Sequence, residues 1–227
     1  MLTKLSENVW VVEHSFKIGG VPFTSKMSLI LLSNNQWVAI SAVPLEGEAL
    51  AEVKALGDIA YIIAPNNFHH LFVTDLMQTF PAAKLYMPKS LQEKRSDLSP
   101  EAYLDTNSQF PWDEEIQMYQ FNGAKILEEY DFFHKATGTL IFTDICFNLP
   151  KDLPLGAKIF AKMTGTHGGL KTSRLTKLFV RDRSAAKQSI EAFLALDFDR
   201  LIVGHGDVIK EGAKNTVRES FHWLLKA

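Results

Sequence analysis

Residues 59–70 read IAYIIAPNNFHH, and this stretch decides how the rest of the chain is interpreted. Its first six residues form an uninterrupted apolar run, which is typical of a strand buried on both faces. The run leads through two asparagines to a histidine pair, His69 and His70. In α/β architectures, binding sites form just beyond the carboxyl ends of strands, because the sheet holds the loops there rigidly. The stretch therefore predicts a buried strand that delivers polar side chains to a site.

Two further predicted strands end in residues that can bind a metal. The apolar run 139–143 leads to Asp144, and the run 201–203 leads to His205, which has a glycine on each side. Imidazole and carboxylate together suit zinc, iron or manganese, and the glycines would let the backbone turn tightly beside a ligand. A helix cap or a plain turn would explain each signal alone. Their shared position after strands favours a common site.

The pattern elsewhere predicts strands first, then strands alternating with helices, then strands again, and finally helices with a last strand. Strands are expected at 9–12, 27–32, 37–42, 59–64, 84–87, 116–121, 124–128, 130–133, 139–143 and 201–203. Helices are expected at 45–56, 70–80, 184–196 and 211–225, with an ambiguous glycine-interrupted stretch at 155–178. Ser184 is the expected N-cap of its helix. This order fits two packed sheets flanked by helices, in one domain spanning 1–227.

Length and composition are those of an ordinary globular protein. The chain has 227 residues, 46% of them hydrophobic and 22% charged, which is enough to bury a large core. A formal net charge of −2 gives no reason to expect nucleic acid or an anionic membrane as a partner. The single cysteine, Cys146, excludes an internal disulfide and a cysteine-rich zinc site. The sequence shows neither a signal peptide nor a membrane span, so a cytoplasmic location is expected.

The order of these features resembles the metallo-β-lactamase fold superfamily over nearly the whole chain. The resemblance rests on the hairpin at 27–42, the strand before the histidine pair, the Thr-Asp-x-Cys-Phe-Asn segment at 143–148 and the Val-Gly-His-Gly segment at 203–206. The chain looks most like a small branch in which Pro-Asn-x-x-His-His replaces the superfamily's His-x-His-x-Asp-His. The resemblance implies an α/β (α+β) fold, a four-layer αββα sandwich. It is specific for the fold and weak for the reaction.

The resemblance also implies a set of metal ligands. In the superfamily, a motif loop, a mid-chain histidine, an aspartate after a strand and a late histidine bind one or two metal ions. The metal activates water for attack on an ester, thioester, amide or phosphodiester. By position, Asp144 matches the metal-bridging aspartate and His205 matches the late histidine. The motif loop allows two registers, so His69, His70 or both would complete the set.

This set contains fewer candidate metal ligands than the superfamily has. In one register Asn66 stands in place of the first histidine, and no histidine lies between His70 and His134. His134 follows two phenylalanines and lies only ten positions before Asp144, which favours a structural role. Three ligands suffice for one zinc, iron or manganese ion. The sequence therefore predicts either one bound metal ion or a metal-free pocket, and not two filled metal sites.

The residues support two functional hypotheses and weaken a third. The first is a metal-dependent hydrolase with a single metal ion that acts on an unidentified small molecule. Its candidate ligands are His69, His70, Asp144 and His205. The second is a non-catalytic domain that binds a ligand or partner on the same fold. An oxidoreductase with two irons would need more ligands than the chain provides. Neither nucleic acid nor a membrane is expected as a partner.

Overall fold

The computed structural model of the protein describes residues 1–18 and 21–226. The larger sheet is built from β1 (Leu2–Ser6), β2 (Val9–Ile18), β3 (Val21–Leu31), β4 (Trp37–Ile40), β5 (Ile59–Ile63), β6 (Lys84–Met87) and β7 (Ala102–Tyr103). Across the described ranges these strands lie side by side in chain order. β1 to β4 pair antiparallel, whereas β4 to β7 pair parallel. The carboxyl ends of β4, β5 and β6 therefore share one edge.

The smaller sheet comes from the second half of the chain. The remaining strands are β8 (Ile116–Phe121), β9 (Glu129–His134), β10 (Thr139–Ile141), β11 (Phe147–Leu149), β12 (Gly169–Lys171) and β13 (Arg200–Ile202). Four of them form a sheet in the order β13-β10-β9-β8, in which β13 runs parallel to β10. β11 and β12 pair separately as an antiparallel ladder.

The helices fall into an early group, a central pair and a late group. They are α1 (Gly47–Leu56), α2 (Val73–Thr79), α3 (Leu91–Lys94), α4 (Leu155–Thr164), α5 (Arg174–Phe179), α6 (Arg183–Ala195), α7 (Ala213–Ser220) and α8 (His222–Leu225). A short 3-10 turn, Lys135–Thr137, joins β9 to β10. Within residues 1–18 and 21–226, no helix combines the length and the apolar character needed to cross a membrane.

Three separate apolar clusters show that the elements form four layers. One cluster packs the larger sheet against α1, α2 and α3, and includes Val53, Val73, Leu76 and Leu91. A second lies between the two sheets and includes Val38, Ile63, Phe132, Ile141 and Ile202. The third packs the smaller sheet against α6, α7 and α8, and includes Phe142, Ile190, Phe193, Val217 and Leu224. The succession helix, sheet, sheet, helix is the αββα sandwich.

The apolar strands serve two of these clusters at once, because successive side chains in a strand point to opposite faces. In β5, Tyr61 and Ile63 belong to the cluster between the sheets, whereas Ile62 faces the early helices. In β10, Ile141 faces the other sheet and Leu140 faces the late helices. This two-sided burial explains why residues 59–64 and 139–143 read as continuous apolar runs.

One predicted strand is wrong, the one at 124–128. The backbone N–H groups of Leu127 and Glu128 both donate to the Ala124 carbonyl, which closes a turn. Gly123 begins this turn with φ +87, and a Cβ there would meet the Asp182 carbonyl oxygen. The close approach of two backbones bends the chain where the apolar pattern alone suggested an extended segment.

Two helix boundaries also differ from those expected. The N-cap of α6 is Asp182, whose side chain accepts a hydrogen bond from the Ala185 backbone N–H at 2.9 Å, and not Ser184. The helix expected at 211–225 is interrupted at Phe221, which separates α7 from α8. In the ambiguous stretch, Gly165 ends α4 in the left-handed region with φ +79, as a C-cap glycine does.

Candidate metal site

Three loops that follow strands bring one side chain each to the same place. His69 lies on the loop after β5, Asp144 follows β10, and His205 follows β13. Since β10 and β13 are parallel neighbours, their carboxyl ends meet at one edge of the smaller sheet. The loop after β5 is tied to that sheet because the Tyr130 backbone N–H donates to the Pro65 carbonyl at 2.8 Å. Residues far apart in sequence thereby converge between the two sheets.

The converging side chains place potential ligand atoms at short distances from one another. The Nε2 atoms of His69 and His205 are 3.2 Å apart. His69 Nε2 lies 3.3 Å from Asp144 Oδ2, and His205 Nε2 lies 3.4 Å from Asp144 Oδ1. Among the described residues, these three offer one ligand atom each within 4.8 Å of one another. Two imidazoles and a carboxylate are a donor set that suits zinc, iron or manganese.

Both imidazole rings are oriented through their other nitrogen. His205 Nδ1 lies 2.7 Å from the Thr24 carbonyl oxygen, which can only accept, so this nitrogen carries the proton. His69 Nδ1 lies 2.6 Å from Ser41 Oγ. Ser41 has φ +67, a left-handed conformation that a non-glycine residue adopts at a cost, and such strain collects at functional sites. The Phe147 ring stacks on the His205 ring at a centroid distance of 5.3 Å.

Asn66 is an organising residue of this site. Its side-chain nitrogen lies within 3.0 Å of three oxygens, which belong to Glu129, Thr143 and Asp144. Its side-chain oxygen accepts the backbone N–H groups of residues 68 and 69 at 2.8 Å each. Because the oxygen already has two donors and the side chain is fully buried, Asn66 positions His69 and Asp144 and is not itself a ligand.

Glu129, the first residue of β9, holds the backbone on which Asp144 sits. Its fully buried carboxylate accepts the backbone N–H groups of Thr143 and Asp144 at 2.8 Å. No motif or spacing considered above pointed to Glu129. Two acidic residues, Glu129 and Asp131, within a short strand that is otherwise aromatic are the signal that could have found it, because a buried acid is retained only when something requires it.

The glycines around His205 are required by close backbone contacts. A Cβ on Gly206, which has φ +93, would meet the Asn148 carbonyl oxygen. A Cβ on Gly204 would lie 2.9 Å from the His69 ring. The Gly206 carbonyl accepts a hydrogen bond from the buried Lys26 ammonium, which also pairs with Glu13 at 2.8 Å. The turn that carries His205 is therefore fixed from both sides.

Electrostatic interactions in the site oppose the effect of burial. Burial acts to raise the pKa of Asp144, but the adjacent His69 and His205 hold this pKa well below its usual range. Burial acts to lower the pKa of His69, and Asp144 overrides that effect, so the pKa of His69 is raised. Burial and the charge of Asp144 both raise the pKa of Glu129. The group is thus arranged to keep Asp144 ionised and to hold positive charge beside it.

The sequence and the fold can now be compared with known proteins. Residues 6–191 match the model of a family described as a domain of unknown function, DUF4336. The chain belongs to the DUF4336 family. Comparison with curated proteins gives no match.

Solved metallo-β-lactamase structures have a similar fold. The enzyme from Pontibacter korlensis gives a TM-score of 0.68 at 12% identity, covering 100% of this chain and 99% of that one. The enzyme from Erythrobacter litoralis, with beta mercaptoethanol in its active site, gives 0.70 at 13% identity, covering 100% and 96%. The enzyme from Hirschia baltica gives 0.63 at 12% identity, covering 96% and 97%. This DUF4336 chain therefore has the metallo-β-lactamase fold, and the expected αββα sandwich is confirmed. Identity this low says nothing about the reaction.

His70, the fourth candidate ligand, does not join the other three in the DUF4336 site. Its Nδ1 lies 3.3 Å from Arg95 Nη1, and the same guanidinium nitrogen donates to the His70 carbonyl at 2.8 Å. Burial and the charge of Arg95 lower the pKa of His70. This segment of the motif loop is held against Arg95, and a guanidinium repels a metal ion. In this structure His70 therefore lies apart from the other three candidate ligands, and its role in metal binding stays a prediction.

His134 also lies outside the group of three, as its sequence context favours. It is buried in β9, and its Nδ1 lies 2.8 Å from Thr137 Oγ1 in the 3-10 turn. Burial lowers the pKa of His134. Its surroundings are those of a neutral structural imidazole.

A separate cleft of about 940 Å³ lies beside the smaller sheet. It is formed by β8, the turn at 122–128 and the start of α6, and its lining includes Tyr119, Gly123, Arg181 and Ser189. None of His69, Asp144 and His205 contributes to its wall. The volume of this cleft therefore gives no information about the group of three.

Proposed function

We propose that this DUF4336 protein is a metal-dependent hydrolase with a single metal ion held by His69, Asp144 and His205. The observation that carries the proposal is the spacing of the three side chains. Their contacts of 3.2, 3.3 and 3.4 Å match the separation of about 3.3 Å between ligands of a tetrahedral ion with bonds near 2.0 Å. This spacing supports a site for one tetrahedral metal ion bound by the three side chains.

The hydrogen bonds of the two rings support the same proposal. His205 donates through Nδ1 to the Thr24 carbonyl, and His69 contacts Ser41 through Nδ1. The Nε2 atoms of the two rings are left 3.2 Å apart beside Asp144. A metal ion bound there would accept the lone pairs of both Nε2 atoms. Fixing a ligand histidine through its second nitrogen is how proteins commonly prepare a metal site.

The residues of the chain have distinct parts in the proposed activity. His69 and His205 would bind the ion through Nε2, and Asp144 would bind it through its carboxylate and offset its charge. A divalent ion bound there would supply Lewis acidity and activate water as a nucleophile near neutral pH. Asn66 and Glu129 hold Asp144 in place. In the register that puts Asn66 in place of the superfamily's first histidine, a positioning amide would stand where the superfamily has a metal ligand.

A metal-free binding pocket is the second candidate, and one observation favours it. Asp144 and the two imidazoles satisfy one another as an ion-pair cluster, and the pKa of His69 is raised by Asp144. A hydrogen on His69 Nε2 would join the two Nε2 atoms, which are 3.2 Å apart, by a hydrogen bond without a metal ion. Such a cluster would hold a ligand by hydrogen bonds without catalysing its hydrolysis.

The distinguishing experiment is elemental analysis of the full chain purified without chelator, followed by activity measurements. The proposal expects up to one equivalent of zinc, iron or manganese per chain. It also expects turnover of an ester, thioester, phosphodiester or lactam substrate that depends on the metal. His205→Ala should abolish both, while circular dichroism shows an intact fold, because the large apolar clusters support the structure without the ion.

The matched control is His222→Ala, which removes an exposed imidazole from α8. It should leave metal content and turnover unchanged. Two equivalents of metal would show that further ligands exist. Equal turnover in the wild type and in His205→Ala would contradict the hydrolase. A chain that binds no metal and turns over no substrate would favour the metal-free pocket.

A further inference from the structure

Charges are unevenly distributed along the chain. Between residues 153 and 181 there are six Lys or Arg residues and no Asp or Glu. The rest of the chain carries the other 18 basic and all 26 acidic residues. The net charge of −2 thus conceals one strongly basic segment in an otherwise acidic protein. This segment contains α4 and α5.

The same segment exposes large apolar side chains. On α4, Leu155, Ile159 and Met163 recur every four residues on one face and are 75%, 51% and 67% exposed. The face of α4 that is turned inward carries the buried Ala157 and Ala161. Helices on the surface of globular proteins normally bury their large apolar residues. α4 does the reverse.

α5 continues this apolar surface. Leu175 and Leu178, three residues apart on one face, are 57% and 58% exposed. Arg174 at the start of α5 lies next to Gly165 at the end of α4, so the two helices adjoin. Exposed cations lie in the same segment, namely Lys162, Lys171 and Arg174. We define the α4–α5 surface as Leu155, Ile159, Met163, Leu175 and Leu178 together with Lys158, Lys162, Lys171 and Arg174.

The α4–α5 surface borders the metal site. Phe160 of α4 packs edge-on against Phe23 of β3 at a centroid distance of 5.0 Å. The next residue, Thr24, supplies the carbonyl that orients His205. On the other side, the Thr176 hydroxyl of α5 donates to the Asp144 carbonyl at 3.2 Å. The two helices that carry this surface therefore contact the segments that hold His205 and Asp144.

We propose that the α4–α5 surface binds an anionic phospholipid membrane, with its apolar side chains entering the interface and its lysines contacting the headgroups. Aliphatic residues between cations, on a short helix that carries no acidic residue, are typical of segments that lie in a membrane surface. Basic residues beside such a segment are attracted by anionic lipids. This inference does not depend on the proposed hydrolase activity.

Other occupants fit these residues less well. A symmetric dimer through this surface would place one basic surface against another, and the like charges would repel. Nucleic acid would satisfy the cations but would gain nothing from five exposed aliphatic side chains. The earlier expectation that a membrane is not a partner rested on charge averaged over the whole chain, which hides the basic segment.

The test is flotation of the full chain with lipid vesicles. The probes are vesicles of phosphatidylcholine alone and vesicles of phosphatidylcholine with phosphatidylglycerol. We expect binding only to the anionic vesicles, and weaker binding as salt concentration rises. Lys158→Glu combined with Lys162→Glu should reduce partitioning by roughly tenfold or more. Ile159→Ser combined with Met163→Ser should also reduce it, and both variants should keep the wild-type circular dichroism spectrum because the replaced side chains are not buried.

The matched control is Lys89→Glu combined with Lys210→Glu, which removes two exposed lysines outside the surface. It changes the net charge equally and should bind anionic vesicles nearly as well as the wild type. If the control variant loses vesicle binding as strongly as Lys158→Glu with Lys162→Glu, overall net charge explains the loss and the proposal is overturned. Failure of the wild type to bind anionic vesicles would also overturn it. The proposal would also be overturned if the wild type does not bind vesicles and instead forms a dimer in sedimentation analysis. The double variant Ile159→Ser with Met163→Ser would dissociate such a dimer.

Discussion

Asp144 and Asp131 are acidic residues of the same half of the molecule, and their surroundings differ completely. The Asp144 carboxylate lies beside His69, His205 and the Asn66 amide, and these neighbours hold its pKa well below the usual range. Asp131 lies inside β9 beside the Glu129 carboxyl, and no backbone, amide or cationic donor among the described residues reaches its oxygens. Burial and the nearby Glu129 raise the pKa of Asp131 well above its usual value.

Burial and hydrogen-bonding or oppositely charged partners act on the pKa of a carboxyl group in opposite directions. Taking a carboxyl group out of water favours its neutral form, and only opposite charges and hydrogen-bond donors reverse this preference. Asp144 has such partners and is kept as an anion, as a metal ligand must be. Asp131 has no such partner, and its pKa is raised well above the usual value. The pKa values of two acids 13 positions apart are therefore shifted in opposite directions.

The largest expected effect comes from removing the charge of Asp144. Asp144→Asn keeps the size of the side chain but leaves the two imidazoles without their anion. Metal affinity should fall by more than the roughly 100-fold that changes in supporting residues cost. Competition with a chelating dye, in titrations of wild type and variant, measures this loss. An unchanged dissociation constant would remove Asp144 from the proposed ligand set.

The next effect concerns Glu129, the buried acid that interacts with both aspartates. Glu129→Ala leaves the backbone N–H groups of Thr143 and Asp144 without their acceptor inside the protein. The free energy of unfolding should fall by about 3 kcal/mol, the range expected for buried hydrogen bonds to a charged group. Urea denaturation gives the value, with the exposed Glu114→Ala as a control. A loss no greater than that of the control would contradict the supporting role of Glu129.

A smaller effect is expected at Ser41. Ser41→Ala removes the partner of His69 Nδ1 and should weaken metal binding roughly tenfold, the lower range for residues that orient a ligand. Ser41→Gly should weaken binding equally but cost less stability, because glycine accepts φ +67 without strain. Thermal unfolding together with metal titration separates the two effects. If binding is as tight in both variants as in the wild type, Ser41 does not orient His69.

The raised pKa of Asp131 should be measurable in the pH dependence of the free energy of unfolding. Because its folded-state pKa is raised, the folded protein retains a proton that the unfolded chain releases above about pH 4. Asp131 therefore lowers stability progressively as the pH rises from that point toward its folded pKa. Asp131→Asn removes this loss, so its stability relative to the wild type should increase with pH, by about 1.4 kcal/mol for each pH unit where the states differ fully. A difference that is constant from acid to neutral pH would show that Asp131 ionises normally.

The smallest effect is expected at His70, and it sharpens the assignment within the histidine pair. His70→Ala should leave metal affinity unchanged, whereas His69→Ala should behave like Asp144→Asn. The two variants remove identical side chains from adjacent positions, so each serves as the control for the other. Loss of metal in both would return His70 to the ligand set.

Much of the fold was accessible from the sequence because apolar runs and turn residues act locally. The runs at 59–64, 139–143 and 201–203 became β5, β10 and β13, and the four-layer architecture followed from the resemblance. The strand expected at 124–128 failed because the close backbone contact between Gly123 and Asp182 bends the chain there. No local pattern encodes a contact between residues so distant in sequence. The single domain over 1–227 and the cytoplasmic location stay predictions.

By itself the sequence determined which residues could serve a site, since Asp144 and His205 follow apolar strands and the histidine pair follows a third. It could not choose between His69 and His70, which are chemically identical neighbours. The tertiary structure made that choice, because Arg95 approaches His70 while Ser41, Asp144 and His205 surround His69. The tertiary structure also determines the hydrogen bonds by which Asn66 and Glu129 position the site. It likewise determines that the apolar face of α4 is exposed. Each of these depends on distances between distant parts of the chain, which only packing sets.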